Sequence, residues 1–252
     1  MTTTSTLASS FRQRMRARDA QLRGLLLRMP NLVVVELSGL VGLDFVLIDC
    51  EHGPADSELL NHHVLAATAA GLPAIVRVGD VASAEVLRAL DLGAAGIVAP
   101  HIDTPDDARA FVAALRHSPA GRRGFATYTR AGDHGLVDPA SHAARADSAV
   151  TAIAMIESQA ALANAREIAG VPGLDALLPG PADLRHDLST DAGDVRWSVD
   201  EAQATIWQAA AKQGLCAGMI TNSAAAAPEP GDVQLLVYNF QVELNDLMRR
   251  LA

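Results

Sequence analysis

Cysteine is scarce in this chain of 252 residues: there are two, Cys50 and Cys216, each inside or beside an apolar run. No CxxC or Cys/His cluster accompanies them, which argues against a disulfide-stapled scaffold and against a cysteine zinc site. They read as buried free thiols, which fits a reducing cytoplasm. No HExxH segment offers zinc a histidine pair. No run approaches the roughly 20 apolar residues of a membrane span. The N-terminal MTTTSTLASSFRQRMRARDA lacks the apolar core of a secretory signal, its basic residues lying among Gln and Ser. Residues 1–20 therefore read as a frayed polar lead into a helix. Positive charge is also in deficit, with a formal net charge of -9 and a pI of about 5.3. That balance argues against nucleic acid and anionic membrane as partners, and leaves small anionic substrates open where arginines gather.

Apolar residues are plentiful at 50%, enough to bury a sizeable core, and the length suits one large domain. The organising stretch is DFVLIDCEHGP, residues 44–54. Residues 45–48 form an unbroken apolar run of the kind that a strand buried on both faces needs. Asp49, Glu51 and His52 then crowd ionisable groups together before Gly53-Pro54 turns the chain. Further runs read as strands at 33–37 (VVVEL, with Glu36 at its far end), 74–78, 96–100, 151–157, 175–178, 216–220 and 234–237. Helical spacing appears between them at 57–70, 83–92, 105–116, 139–146, 160–168 and 200–213. Eight strands, mostly with helices between, predict a single (β/α)8 TIM barrel over residues 1–252, with a closing helix at 242–252. Between Ile220 and Asp232, Pro228 and Pro230 leave room for a short helix at most. His62 and His63 are adjacent on their helix, face different ways and cannot jointly clasp an ion.

In such a barrel, polar residues at the C-terminal ends of the strands converge on one rim, where barrel enzymes work. Glu36, Asp49, Glu51, His52, Arg77, Glu157 and Asp183 are the residues this places there. Glu157 and Asp183, from neighbouring strands, suit a hard divalent cation such as Mg²⁺ or Mn²⁺ with waters completing the shell; ordinary barrel-mouth hydrogen bonds are the plain alternative. Arg77 beside such an ion would stabilise a developing enolate, and His52 would act as acid or base near neutral pH. Asp91, an anion in the last turn of a helix, is electrostatically misplaced and needs a partner; orienting the His52 ring would supply one. Residues 117–138 are irregular and rich in Gly and Arg, as in a lid or binding loop. There Arg122, Arg123 and Arg130 are candidates to meet a carboxylate or phosphate, against the plainer reading of a solvated basic loop.

The segments IDCEHGP, IVRVG, LDLGAAGIVAPHIDTPDDARAFV, SPAGRRGF, MIESQAALANAREIAGVPGLD and LLPGPADL, in this order over residues 44–188, resemble successive signatures of the HpcH/HpaI aldolases. These are metal-dependent class II pyruvate aldolases on a phosphoenolpyruvate/pyruvate-type barrel. The resemblance implies that Glu157 and Asp183 ligate a divalent ion, Mg²⁺ or Mn²⁺ with Co²⁺ a further candidate. It implies that Arg77 holds the 2-keto oxygen, that His52 paired with Asp91 is the base, and that Gly180, Pro181 and Ala182 line the pocket near the pyruvate carboxylate. A small-molecule 2-keto acid and an aldehyde are the implied substrates, and a homo-oligomer, a hexamer or trimer of dimers, the implied assembly. The chain departs from the family pattern at Met155, where a glutamine is common, at Arg185, where a serine is common, and at its final strand, which ends VYNF. Met155 therefore belongs among the substrate-binding candidates as a residue that cannot donate a hydrogen bond. Decarboxylation of an oxaloacetate-like acid and a non-catalytic keto-acid-binding barrel are the alternatives.

Overall fold

Eight short parallel strands close on one another in chain order, from β1 to β8 and back to β1. They are β1 (Leu22–Leu27), β2 (Phe45–Asp49), β3 (Ala74–Arg77), β4 (Gly96–Ala99), β5 (Thr151–Ile156), β6 (Ala176–Pro179), β7 (Cys216–Thr221) and β8 (Leu235–Asn239). The architecture is a (β/α)8 barrel, seen in a computed structural model that describes residues 3–54, 56–81, 84–190, 197–226, 228 and 231–252. Helices α1 (Thr3–Ala17), α2 (Leu32–Leu40), α3 (Ser57–Ala69), α4 (Ala84–Asp91), α5 (Pro105–Leu115), α6 (Pro139–Ala149), α7 (Gln159–Ala163), α8 (Ala165–Ala169), α9 (Pro181–Thr190), α10 (Val199–Lys212) and α11 (Phe240–Leu251) surround it. No helix among the described residues is long and apolar enough to cross a membrane.

Alternation along the strands sorts the core into two layers. Phe45, Leu47, Ile75, Val98, Ile153, Met155, Ala176 and Leu178 fill the barrel interior, while Val46, Ile48, Val76, Ile97, Ala152, Ala154 and Leu177 pack outward against the helices. Local chemistry starts the helices cleanly. Thr104 and Asp107 close a capping box on α5, and Ser198 and Glu201 do the same on α10.

Two elements differ from the sequence expectation. Residues 33–37 are not a strand but part of α2, capped by Asn31, whose side chain accepts from the Val34 amide. Its β-branched residues imitate a buried strand, yet Val33 is 60% exposed and Leu40 82%. Glu36 is thereby removed from the rim and sits exposed on a helix. The first strand is LRGLLL instead, where Gly24 is required because a Cβ would fall 2.5 Å from the Phe45 ring. The second difference is the polar lead. Most of residues 1–20 form α1, which buries Ala8, Phe11 and Met15 in the interior cluster, Phe11 lying 5.3 Å from the Phe45 ring between centroids. Of the helix expected at 83–92, Ser83 lies outside the described residues, as does Pro230 of the link before β8. The helix expected at 160–168 is broken at Asn164 into α7 and α8.

Candidate active site

Continuing each strand's inward alternation by one step past the apolar layer reaches the mouth of the barrel. Phe45 and Leu47 lead to Asp49, Ile75 to Arg77, Ile153 and Met155 to Glu157, and Ala176 and Leu178 to Gly180. Asp49 and Arg77 are cross-strand partners in the β2–β3 register, so their side chains share one face. Asp49 is the pivot of the group. Its Oδ1 accepts from Arg77 Nε at 3.0 Å and from the amides of Glu51 and His52 at 3.2 Å, while its Oδ2 accepts from Arg77 Nη2 and from Arg28 Nε at 3.2 Å. Burial would raise the Asp49 carboxyl, but the bonds from Arg77 override it and hold the group below the usual carboxylate range. The arginine is thereby fixed at two of its nitrogens. Its third, Nη1, meets among the described residues only the thioether of Met155 at 3.8 Å, a weak acceptor.

Opposite this pair the charge balance reverses. Glu157 directly follows β5 and is buried, as is the inward half of Glu51. Burial raises the Glu157 carboxyl; contacts from His101 oppose the rise, and the nearby carboxylates of Glu51 and Asp183 add to it. Asp183 stands in the first turn of α9, a position that favours an anion. Glu51 Oε2 lies 3.2 Å from Arg77 Nε, whose hydrogen is committed to Asp49, and it is buried without a hydrogen-bond partner. Gly180 makes room for all this: a Cβ there would fall 2.6 Å from Glu157 Oε2.

The structure thus brings Arg77, Glu157, Gly180 and Met155 together, with Asp183 near enough to act on Glu157, and Pro181 and Ala182 on the turn of α9 between them. His52 sits at the edge, 54% exposed in its side chain, with Nε2 3.8 Å from Glu51 Oε2. Asp91 does not reach it. The Asp91 carboxylate instead accepts from Arg123 Nη2 at 3.2 Å, so the anion in the last turn of α4 does have a cationic partner, but one from the irregular stretch. That contact also removes Arg123 from the pool of free arginines, while Arg130 donates to Asn61 Oδ1 at 3.1 Å and Arg122 to the Ala110 carbonyl at 3.4 Å. Two residues of the mouth escaped the sequence pattern. Arg28, which holds Asp49, was hidden with the unrecognised first strand. His101 lies two residues past β4, and its ring nitrogens face Glu157 and Glu51.

Oxygen donors dominate the cluster, the chemistry that suits a hard divalent cation rather than zinc. Among the described residues no three His, Cys, Asp or Glu side chains stand ready to hold an ion by themselves.

Comparison with known proteins identifies relatives of the chain. The family described as HpcH/HpaI aldolase/citrate lyase matches residues 24–229. A hydroxypyruvate/pyruvate aldolase of Paraburkholderia phytofirmans is 33% identical over 234 residues, 90% of this chain and 89% of that protein. A 2-dehydro-3,6-dideoxy-6-sulfogluconate aldolase of Pseudomonas putida is 40% identical over 149 residues, 59% of this chain, and the match spans only 58% of that relative's length. Among solved structures, an HpcH/HpaI aldolase/citrate lyase family protein from Burkholderia cenocepacia superposes with a TM-score of 0.87 at 34% identity, covering 96% of this chain and 97% of the other.

Proposed function

The chain belongs to the HpcH/HpaI aldolase/citrate lyase family, and from that premise we propose that its barrel mouth is the active site of a divalent-metal-dependent aldolase. The reaction is that of a carbon–carbon lyase, making or breaking the C3–C4 bond of 4-hydroxy-2-oxo acids. The observation that carries this reading is the crowding of Glu51, Glu157 and Asp183 opposite Arg77, where burial raises the Glu157 carboxyl and the neighbouring carboxylates add to the rise. Mutual repulsion among buried carboxylates is costly unless a cation joins them. Glu157 and Asp183 are the proposed ligands, and Mg²⁺ or Mn²⁺ the proposed ions. When bound, such an ion supplies Lewis-acid polarisation of the 2-keto acid.

The chain's own groups account for the other parts of the reaction. In the cleavage direction a base takes the proton of the C4 hydroxyl, the C3–C4 electron pair passes into the C2 keto group, the aldehyde leaves, and C3 of the remaining enolate takes up a proton. His52 is the proposed base, a reading supported by its exposure on the turn that Asp49 organises. Arg77 Nη1, unclaimed by any carboxylate among the described residues, is the proposed donor to the keto oxygen as negative charge develops there. The N-terminal turn of α9, Gly180 through Ala182, offers its dipole to the substrate carboxylate. Lysine-imine chemistry has no residue to run on at this rim. Lys212 is the single lysine of the sequence and ends α10, just before β7 enters the opposite end of the barrel.

Homo-oligomeric assembly belongs to the same proposal, supported by the exposed apolar residues Leu247, Met248 and Leu251 of α11. Two free cysteines support a reducing compartment, the cytoplasm. The test is to supply the protein with Mg²⁺ or Mn²⁺, pyruvate and short aldehydes. The expected outcome is an aldol adduct whose formation stops with EDTA. Activity that survives chelation, an imine trapped by borohydride, or carbon dioxide release from oxaloacetate without any aldehyde reaction would reject it.

A further inference from the structure

His101 has a left-handed backbone. Its φ is +53°, in the left-handed region that non-glycine residues rarely enter and that costs of order 1 kcal/mol or more when they do. The ring is not there to fill the core, since the side chain is 67% exposed. What the conformation achieves is contact. The His101 amide donates to Glu157 Oε1 at 2.7 Å, ring Nδ1 lies 3.1 Å from the same oxygen, and ring Nε2 lies 3.5 Å from Glu51 Oε1. One residue thus holds an oxygen of Glu157 through its amide, brings its ring within ion-pair distance of that same oxygen, and spans to the neighbouring carboxylate. Among the described residues nothing bonds the other oxygen, Oε2, which rests against Gly180 in space that a Cβ would occupy.

We propose that His101 is a positioning residue that commits Glu157 Oε1 to the protein and presents Oε2 to the divalent ion, making Glu157 a one-oxygen ligand. This rests on the reading of Glu157 as a metal ligand. The backbone amide supplies one half of the clamp by its hydrogen bond and the imidazole the other by its close approach to the same oxygen. The two halves separate cleanly by substitution. His101→Gly keeps the left-handed backbone and the amide donor but removes the ring, since glycine adopts positive φ freely. His101→Asn tolerates the same backbone and returns a side-chain N–H donor of similar reach.

The experiment is calorimetric titration of the full chain with Mn²⁺ alone, on wild type, His101→Gly, His101→Asn and Glu157→Gln, with thermal melts of each to show that the fold persists. His101→Gly should bind Mn²⁺ about tenfold more weakly, the loss typical of a residue that orients a metal ligand, and His101→Asn should recover most of that loss. A merely structural histidine would not give rescue by a donor of this kind. Wild-type affinity in His101→Gly, or an Asn variant no better than Gly, overturns the inference while weakened binding in Glu157→Gln leaves the metal reading intact. Unchanged binding in Glu157→Gln removes the metal reading itself, and this inference with it.

Discussion

At the base of the barrel Asp175 accepts from Arg12 Nε through both oxygens at 3.0 Å, from Arg16 Nε at 3.1 Å and from the Ala152 amide at 2.9 Å. Arg12 Nη1 goes on to the carbonyls of Asp147 and Ser148 at 3.1 and 2.9 Å, and His117 Nδ1 meets Asp147 at 2.8 Å. At the mouth, by contrast, Glu51 keeps a buried oxygen without a hydrogen bond, and Glu157 is raised by burial and by its acidic neighbours. The base network ties α1 across the bottom of the strands, and its carboxylates are matched by cations and amides. The mouth holds more carboxylate, in Asp49, Glu51, Glu157 and Asp183, than Arg77 and Arg28 can neutralise. A fold that could match its buried carboxylates at one end has left them in excess at the other, which is the pattern expected where stability is given up for binding and chemistry.

The sharpest way to break this contrast is to remove the excess. Glu157→Gln or Asp183→Asn should lower aldolase turnover by about a thousandfold, the scale of losing a principal electrostatic group. Metal-free Glu157→Gln should nevertheless melt higher than wild type at pH 7. Because the folded-state pKa of Glu157 is raised, the folded chain binds that proton more tightly than the unfolded one. Wild-type stability therefore falls as pH rises from the unfolded value toward the folded one, and the Gln variant lacks this slope. Melting curves from pH 4 to 7 without metal check the sign; equal slopes would mean that the mouth carries no excess.

At the base the opposite substitution gives the opposite result. Asp175→Asn leaves Arg12 buried without its anion and should cost about 3–5 kcal/mol in urea unfolding, with turnover per folded molecule unchanged. Arg77→Lys should keep a positive charge but lose the two-nitrogen grip on Asp49, lowering kcat more than it raises KM. The smallest effect sharpens the comparison from within the base. Arg116 is buried there with both Nη atoms unpartnered and its pKa pushed down to about 10 by burial and by Arg12. Arg116→Met should therefore be neutral or stabilising in the same unfolding measurement; a loss of stability would show that the base depends on that charge.

How much of this was legible in sequence depended on the range of the interactions. Strands β2 to β8 announce themselves as short apolar runs, and the step of two from Ile153 and Met155 to Glu157 is local. The first strand was hidden because Arg23 and Gly24 interrupt it, while the β-branched VVVEL of α2 looked more strand-like than the strand itself. What settles α2 is the Asn31 cap and the exposure of Val33 and Leu40, and exposure is a tertiary fact. Asp91 was expected to need a partner, and the cation that meets its carboxylate comes from the irregular stretch, at Arg123. His101 gave no local signal either, since its significance comes from Glu51 and Glu157, each far from it along the chain.

The measurement that bears most directly on the carboxylate-pair site is exchange of the C3 hydrogens of pyruvate with deuterated water, followed by proton NMR with Mg²⁺ present. Enolate formation at the mouth predicts exchange in the wild type that stops on adding EDTA and is lost in both Glu157→Gln and Asp183→Asn. Exchange that persists through chelation, or that either variant sustains at the wild-type rate, would contradict it.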